Sequence, residues 1–182
     1  ISDYELLILA PDQETKEAVK DYLKNKKIKH LQDPGQGKPV ALNLAFKQAR
    51  GEILVLTDGD VHIGKNALAE LLKPFENPKV GIVSGHPHSL ESKETMLGFW
   101  SHVLTSIAHR IRLRSKLVVG SGYLMAIRKG IISSIPEDAL SDDAVITHLI
   151  YDKGYQTVYA SEADVFVKYP NTFKDWIKQK KR

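Results

Sequence analysis

The sequence contains no cysteine, which excludes a disulfide framework and any thiolate metal site. The absence of thiols also favours a reducing compartment. No apolar stretch approaches the roughly 20 residues that a membrane-spanning helix needs, and no basic region of the kind that opens a secretory signal peptide precedes the first strand-like segment. These absences predict a cytoplasmic location, either alone or as the cytoplasmic domain of a membrane protein.

At 182 residues, with 42% hydrophobic and 26% charged residues and no internal repeat or linker, the chain is expected to form a single domain over residues 1–182. The formal net charge is only +4. Basic side chains concentrate in two clusters, which are either solvated surface or attracted to an anionic membrane surface. Neither cluster alternates with stacking aromatic residues, so nucleic acid is not an expected partner. The clusters are His109, Arg110, Arg112, Arg114 and Lys116, and then Lys174, Lys178, Lys180, Lys181 and Arg182.

Strand-like and helix-like segments alternate along the chain, which predicts an α/β fold with a parallel sheet. Apolar runs predict strands at residues 4–9, 28–31, 53–56, 80–84, 117–119, 123–127 and 157–160. Helical periodicity predicts helices at residues 14–26, 39–50, 66–75, 94–114 and 143–152, and from residue 173 onward. In the long segment 94–114, the expected core-facing side chains are Phe99, Trp100, Leu104 and Ile107; the alternative is a helix resting on a membrane.

Asp58, Gly59 and Asp60 directly follow the strand at residues 53–56, which is expected to be buried on both faces of the sheet. Ligands of open α/β sheets bind beyond the carboxyl ends of such strands. Two carboxylates separated by one glycine offer the hard oxygen ligands that Mg²⁺ and Mn²⁺ prefer, usually together with substrate phosphates. The segment is therefore a candidate metal and nucleotide-diphosphate site, and the alternative is a plain turn.

Four segments occur in the order and at the spacing of family 2 glycosyltransferases with the GT-A fold, which the chain resembles over nearly its whole length. Residues 37–52 match the family's G-K-x-x-A-L-N helix and A-x-G-E, before the strand and D-x-D. Residues 120–128 resemble its acceptor-side G-x-G segment, and residues 141–143 its acidic pair, which precedes the Gly154-Tyr155 of its G-Y strand. Residues 179–182 resemble the Q-x-x-R part of Q-x-x-R-W.

The resemblance implies a GT-A-type, Rossmann-like α/β fold with a mixed, mainly parallel sheet flanked by helices. Two departures stand at the ends: the family's tryptophan is absent, and residues 4–9 resemble the family's second strand, with no counterpart of the first. Because that first strand lies inside the sheet, its absence predicts a gap with an unsatisfied ladder. We therefore expect the chain to be a fragment of a longer protein.

The resemblance also implies an inverting, metal-dependent transferase that moves a sugar from a nucleotide-diphospho-sugar to a hydroxyl of a glycan or lipid-linked acceptor. Asp60 is then the expected ligand of Mg²⁺ or Mn²⁺, and Asp58 assists through the ribose or a metal-bound water. Asp143 is the expected catalytic base, because its position at the start of a helix favours the charged form. The alternative for Asp143 is helix capping.

The remaining candidates are expected to bind substrate. Lys38 lies at a loop-to-helix junction suited to phosphate oxygens, and Asp142 belongs to the acidic pair. Asp12 would contact the base or ribose, or else cap a helix. The other candidates are Gly120, Ser121 and Gly122, which would shape the acceptor pocket or form a plain turn, and Gln179 and Arg182, which would close over the diphosphate or acceptor.

His86 and His88 alternate after the strand at residues 80–84, but the sequence offers no third ligand nearby. We therefore expect ordinary surface histidines in place of a zinc site.

Two other functions compete with glycosyl transfer. A sugar-nucleotide nucleotidyltransferase also binds a metal at a strand end, although its glycine-rich phosphate loop is not visible here. A truncated or non-catalytic nucleotide-sugar-binding module would keep the fold without turnover.

Overall fold

A computed structural model describes residues 3–180, with side chains through Lys178. The strands are β1 (Leu6–Ala10), β2 (Ile28–Gln32), β3 (Ile53–Thr57), β4 (Val61–Ile63), β5 (Val80–Ser89), β6 (Leu124–Arg128) and β7 (Gln156–Val167). The α-helices are α1 (Gln13–Val19), α2 (Lys38–Gln48), α3 (Ala67–Leu72), α4 (Met96–Arg114), α5 (Asp142–Asp152) and α6 (Phe173–Lys180). Short 3₁₀ turns follow α1 and α3, at Tyr22–Lys24 and Lys73–Glu76.

The strands form a five-stranded sheet in the order β3-β6-β5-β7-β4 and a separate parallel pair, β1-β2. The predicted α/β class with a mixed sheet is confirmed, but the larger sheet is less parallel than expected. Only β5 and β7 pair in parallel, whereas β6 is antiparallel to β3 and β5, and β4 is antiparallel to β7. The reasons are local: β6 inserts between β3 and β5 in the opposite direction, and β4 follows β3 after a short reversing turn.

Two hydrophobic clusters cover the faces of this sheet. On β6, Leu124 and Ala126 contribute to one cluster, whereas Met125 and Ile127 contribute to the other, as the two-residue period of a strand requires. Helix α3 packs in the first cluster through Leu71, and α2 and α5 pack in the second. The sheet is therefore held between helices, with its core on both sides of β5 and β6.

Strand β3 is only partly buried, although the sequence predicts a strand buried on both faces. It is an edge strand: among the described residues it pairs with β6 alone, and β1 pairs only with β2. The separation of the two sheets agrees with the expected gap in the sheet.

Helix α4 turns its apolar side away from the sheet, so the expectation of core-facing aromatic residues is wrong. Phe99 and Trp100 are about half exposed, at 51% and 49%, and Leu104 and Ile107 are also exposed. The side facing the sheet is small and polar instead: Gly98 and Ser101 are buried, and Ser101 Oγ lies 2.7 Å from Ser89 Oγ. The loop before α4 passes close to the helix at Gly98, because a Cβ there would lie 1.9 Å from the Ser92 carbonyl oxygen. This approach explains the glycine.

Four other elements differ from expectation. Helix α1 ends at Val19, well before residue 26, because none of its residues is buried and tertiary packing does not prolong it. The predicted strand at 117–119 is a loop whose Val118 N–H donates to the Thr157 side-chain oxygen at 2.7 Å. Strands β5 and β7 continue beyond the predicted residues 84 and 160.

Asn43 anchors α2 to the segment before α5. Its side-chain amide donates to the Ile135 carbonyl at 2.9 Å, and its side-chain oxygen accepts from the Ile135 N–H at 2.8 Å. All four groups are buried. The Asn43 side chain therefore supplies the hydrogen bonds that the Ile135 backbone, which belongs to no sheet, cannot make with water. The asparagine of the G-K-x-x-A-L-N segment is thus a structural residue.

We expect Asn43→Ala to lower the free energy of unfolding by roughly 1–3 kcal/mol, because it leaves the buried Ile135 N–H and C=O unpaired. Urea denaturation followed by circular dichroism measures the change. Gln48→Ala is the control, since Gln48 is exposed on the same helix. Equal stabilities of the two variants would contradict the anchoring role.

Candidate active site

The end of β3 and the start of β6 meet at one edge of the sheet. Thr57, the last residue of β3, pairs with Leu124, the first of β6. The Thr57 hydroxyl donates to the Tyr123 carbonyl at 2.9 Å. This register brings the acidic turn at residues 58–60 beside the segment at residues 120–123, as the sequence predicts for ligands at a strand end.

Lys38 joins two predicted site residues that are distant in the sequence. Its Nζ lies 2.8 Å from Asp58 Oδ1 and 3.3 Å from Asp142 Oδ2. Burial lowers the pKa of Lys38, but the hydrogen bond to Asp58 and the charges of Asp142 and Asp58 outweigh it, so the pKa lies above its ordinary value. Lys38 therefore stays charged and ties the end of β3 to the start of α5.

Asp143 lies in the first turn of α5 and faces the glycine segment. Its Oδ2 accepts the Gly122 N–H at 3.2 Å, and its Oδ1 accepts the Ser141 hydroxyl at 2.6 Å and the Ala144 N–H at 2.9 Å. Ser141 is the N-cap residue but makes no side-chain capping bond to the helix. Asp143 thus satisfies one helix-terminal N–H and also reaches into the site.

The glycines of residues 120–122 permit a close approach of this loop to the core and to the charged groups. A Cβ at Gly120 would lie 2.8 Å from Met125 Sδ, and the Gly120 N–H donates to Thr147 Oγ1 at 2.9 Å. A Cβ at Gly122 would lie 3.5 Å from Lys38 Nζ. Ser121 is buried between them, at 3% exposure.

The Asp60 carboxylate is exposed, and among the described residues it makes no hydrogen bond or ion pair. With Asp58 it offers oxygen ligands of the kind that Mg²⁺ and Mn²⁺ prefer, so this donor set fits a hard divalent ion. Tyr123 lies near the same charges: burial raises its pKa, and the carboxylates of Asp58, Asp60 and Asp143 raise it further. Sequence reasoning missed Tyr123, whose one signal is its position directly after Gly122.

Three predicted substrate residues do not join this group of side chains within the described structure. Asp12 caps α1, since its carboxylate accepts the Thr15 N–H at 2.6 Å and the Thr15 hydroxyl at 2.9 Å. The Thr15 N–H bond lowers the pKa of Asp12. Gln179 lies in α6, but its side chain is outside the described part, and Arg182 is outside the described residues.

His86 and His88 have a third partner, so the expectation that no third ligand lies nearby is wrong. One nitrogen of each ring and an Asp164 carboxylate oxygen lie within 4.8 Å of one another. His86 is also not a surface residue, with only 15% of its side chain exposed, and burial lowers its pKa. The sequence concealed the contact because Asp164 is on β7, far along the chain.

Over residues 3–180, the structure contains no helix that is long and apolar enough to cross a membrane.

Residues 2–182 match the sequence model of the family described as glycosyltransferase like family 2. Poly-beta-1,6-N-acetyl-D-glucosamine synthase of Staphylococcus epidermidis is 25% identical over 178 residues, which are 92% of this chain and 43% of the relative. Hyaluronan synthase of Streptococcus pyogenes is 27% identical over 171 residues, 85% of this chain and 41% of the relative. The chain thus spans about two fifths of the length of these relatives.

The fold resembles solved structures of sugar transferases. Mannosyltransferase PcManGT of Pyrobaculum calidifontis, solved in complex with GDP-Man and Mn²⁺, gives a TM-score of 0.70 at 20% identity. The match covers 93% of this chain and 49% of that one. GalNAc-T7, solved with UDP, GalNAc and Mn²⁺, gives a TM-score of 0.66 at 16% identity, over 91% of this chain and 37% of that one. Fold and sequence agree, and the chain belongs to the glycosyltransferase-like family 2, with a GT-A-type fold.

Proposed function

We propose that this chain is the catalytic domain of an inverting, metal-dependent glycosyltransferase that uses a nucleotide-diphospho-sugar. The observation that carries the proposal is the Lys38 bridge, because it joins Asp58 after β3 to Asp142 beside Asp143. The predicted donor side and the predicted acceptor side therefore belong to one site. Support also comes from PcManGT, which was solved with GDP-Man and Mn²⁺, and from GalNAc-T7, which was solved with UDP, GalNAc and Mn²⁺.

The donor side consists of the acidic turn and Lys38. Asp60 and Asp58 would hold Mg²⁺ or Mn²⁺, which supplies Lewis-acid neutralisation of the diphosphate leaving group. The space around Gly59 is open, since a Cβ there would meet nothing within 4 Å. Lys38 holds the Asp58 carboxylate in place by its 2.8 Å contact and adds a positive charge near the phosphates.

The acceptor side centres on Asp143. The acceptor oxygen attacks the anomeric carbon, and its proton passes to an Asp143 carboxylate oxygen. The bond between that carbon and the diphosphate oxygen breaks, with its electron pair leaving on the diphosphate. A single displacement of this kind inverts the anomeric carbon and forms no covalent enzyme intermediate. The Gly122 N–H, 3.2 Å from Asp143 Oδ2, orients the base for this transfer.

The sequence predicts substrate binding for Asp142, whereas its 3.3 Å contact with Lys38 favours a role in positioning Lys38. Residues 120–122 would shape the acceptor pocket, and Gln179 and Arg182 would close over the diphosphate or acceptor. For Asp12, both carboxylate oxygens contact Thr15, which favours the capping role over a nucleotide contact.

The acceptor is proposed to be a growing glycan or a lipid-linked sugar at a membrane surface. The relatives named above are synthases of extended polysaccharides. Exposed apolar residues of α4 recur at spacings of three and four, which gives the helix one outward apolar stripe; they are Met96, Phe99, Trp100, Leu104, Ile107 and Ile111. Arg110 and Arg114 lie on the same stripe, so an anionic lipid surface complements both its apolar and its charged groups. The domain would then act on the cytoplasmic side of that membrane.

Two other functions remain in competition. A sugar-nucleotide nucleotidyltransferase would release pyrophosphate, whereas a glycosyltransferase releases a nucleoside diphosphate. A non-catalytic nucleotide-sugar-binding module would bind the nucleotide without turnover. The Asp143 contact with Gly122 favours an enzyme, because a module that only binds donor needs no carboxylate on the acceptor side.

We expect UDP or GDP to bind in the presence of Mn²⁺, and Asp60→Ala to weaken that binding roughly tenfold or more, about 1.4 kcal/mol. Calorimetric titration of each nucleotide with and without Mn²⁺ measures the effect. Asp152→Ala is the control, because Asp152 is an exposed acid at the far end of α5 from Asp142. A nucleotide affinity that is the same with and without Mn²⁺, or that Asp60→Ala leaves unchanged, would contradict the proposed donor site.

We expect Asp143→Asn to reduce turnover by a factor of roughly 10²–10⁴ while nucleotide binding stays unchanged. Asparagine has the size of aspartate, and its one oxygen can still accept one of the two backbone N–H groups that Asp143 binds, from Gly122 or from Ala144. The change therefore removes the base with little change of shape. Release of nucleoside diphosphate from the sugar nucleotide that binds measures turnover. Asp152→Asn, at the exposed far end of α5, is the matched control. If Asp143→Asn turned over like the parent, the base would have to be another group.

We expect the chain to float with lipid vesicles that contain phosphatidylglycerol and to remain free with pure phosphatidylcholine. The double variant Phe99→Ser, Ile107→Ser should abolish flotation, because it interrupts the outward stripe of α4. Leu140→Ser is the control, since Leu140 is 89% exposed elsewhere on the surface. Flotation that is unaffected by the α4 changes would exclude this surface as the contact.

A further inference from the structure

A second cluster of metal-ligating side chains lies outside the Lys38 site. His86 and His88 project from β5, and Asp164 projects from the neighbouring β7. One nitrogen of each imidazole and one Asp164 carboxylate oxygen lie within 4.8 Å of one another. No step of the proposed sugar transfer uses these residues.

An irregularity between the two strands brings the three groups together. From Ile82 to Ser84, β5 pairs in parallel with β7 residue by residue, ending at Tyr159. The pairing then resumes with His86 opposite Asp164, so the intervening residues of β7 bulge out of the ladder. Bulges of this kind redirect side chains at functional sites. Without the bulge, Asp164 would not lie beside His86.

The ring nitrogens that contact Asp164 make hydrogen bonds, which a metal ion would replace as it binds. His88 Nε2 lies 2.6 Å from Asp164 Oδ1, so its N–H donates a hydrogen bond to the carboxylate. His86 Nδ1 lies 3.4 Å from Asp164 Oδ1 and 2.9 Å from the Ser161 carbonyl, to which its N–H donates. The His109 ring stacks on His86 with centroids 4.2 Å apart, and its own Nδ1 contacts the Tyr159 hydroxyl at 2.8 Å. The neighbours thereby hold the His86 ring in one orientation.

We propose that His86, His88 and Asp164 form a binding site for a divalent transition-metal ion of the zinc class, distinct from the Asp58 and Asp60 site. Two imidazole nitrogens and one carboxylate oxygen are a common three-ligand set for zinc, with water in the fourth position. This set also differs from the oxygen ligands at Asp58 and Asp60, which suit Mg²⁺ or Mn²⁺.

The distances require only a small adjustment. Neighbouring ligand atoms on a tetrahedral zinc, with bonds near 2 Å, lie about 3.3 Å apart. The His88–Asp164 pair must therefore open from 2.6 Å as the ion replaces the hydrogen between them, and the other ligand atoms, all within 4.8 Å of one another, must close to about the same spacing. Solvent reaches the cluster, because the side chains of His88 and Asp164 are 37% and 41% exposed. A bound ion would fasten β5 to β7 across the bulge.

The test begins with the protein freed of metal by EDTA and then desalted. Titration with Zn²⁺ followed by calorimetry should give one site per chain that depends on these residues, and titration with Co²⁺ should give the visible absorption of a four-coordinate ion. His88→Gln and Asp164→Asn should each weaken Zn²⁺ binding more than roughly tenfold, the loss expected for an outer partner alone. His148→Gln is the control, because His148 is exposed on α5.

Two comparisons distinguish this site from the acidic turn, and melting experiments exclude misfolding as the cause of lost binding. Asp60→Ala should keep the Zn²⁺ site, and His88→Gln should keep Mn²⁺-dependent nucleotide binding. Thermal melts without metal should match the parent for each variant, while Zn²⁺ should raise the melting temperature of the parent and leave that of His88→Gln unchanged. Zn²⁺ affinity equal to the parent in His88→Gln and Asp164→Asn, or no Zn²⁺ binding by the parent, would overturn the proposal and leave a hydrogen-bonded His88–Asp164 pair.

Discussion

The Lys38 ammonium group is the contact on which the geometry of the candidate active site depends. It lies between a carboxylate that ends a strand and a carboxylate that begins a helix, 2.8 and 3.3 Å from Asp58 and Asp142. Truncating it would leave two partly buried like charges facing each other, which is costly in a low-dielectric environment. The same helix carries Asn43, whose paired hydrogen bonds to Ile135 fix α2 against the core. The packing of α2 thereby determines where the ammonium group lies.

The charge around Lys38 is unbalanced. Asp58 and Asp142 contact it, a Cβ at Gly122 would lie near both it and Asp143, and Asp60 follows Asp58 in the same turn. One ammonium group thus contacts two carboxylates in a region that contains two more. Burial of unneutralised negative charge is unfavourable, and these groups remain partly open to solvent on the side where Asp60 is exposed. A divalent cation at Asp60 and Asp58 would remove much of this excess, an argument for a metal that is independent of family resemblance.

The candidate residues of this site could be named from the sequence because each one lies at the boundary of a strand or helix. Asp58 ends an apolar run, Lys38 begins a helix after glycine, and Asp143 begins another helix, so strand and helix boundaries were enough to bring them near one edge. The direction of β6 and the edge position of β3 were not predictable, because pairing partners depend on contacts far apart in the chain. The Asp164 contact was hidden for the same reason, since a bulge shifts the register.

The orientation of α4 could not be read from its pattern, because an amphipathic helix shows two faces without saying which one is inside. The usual assumption buries the apolar face, but here β5 meets α4 through the Ser89–Ser101 pair, and the buried Gly98 makes room for the Ser92 carbonyl of the preceding loop. Buried polar groups of this kind are tolerated only when they are hydrogen-bonded, and His102 satisfies the Glu91 carbonyl at 2.8 Å on the same side. Because the polar side of α4 faces the sheet, its apolar side faces solvent, which solvates it poorly. Under the proposed function, an anionic lipid surface would cover this outward stripe, because the arginines at the end of α4 are attracted to a negatively charged surface.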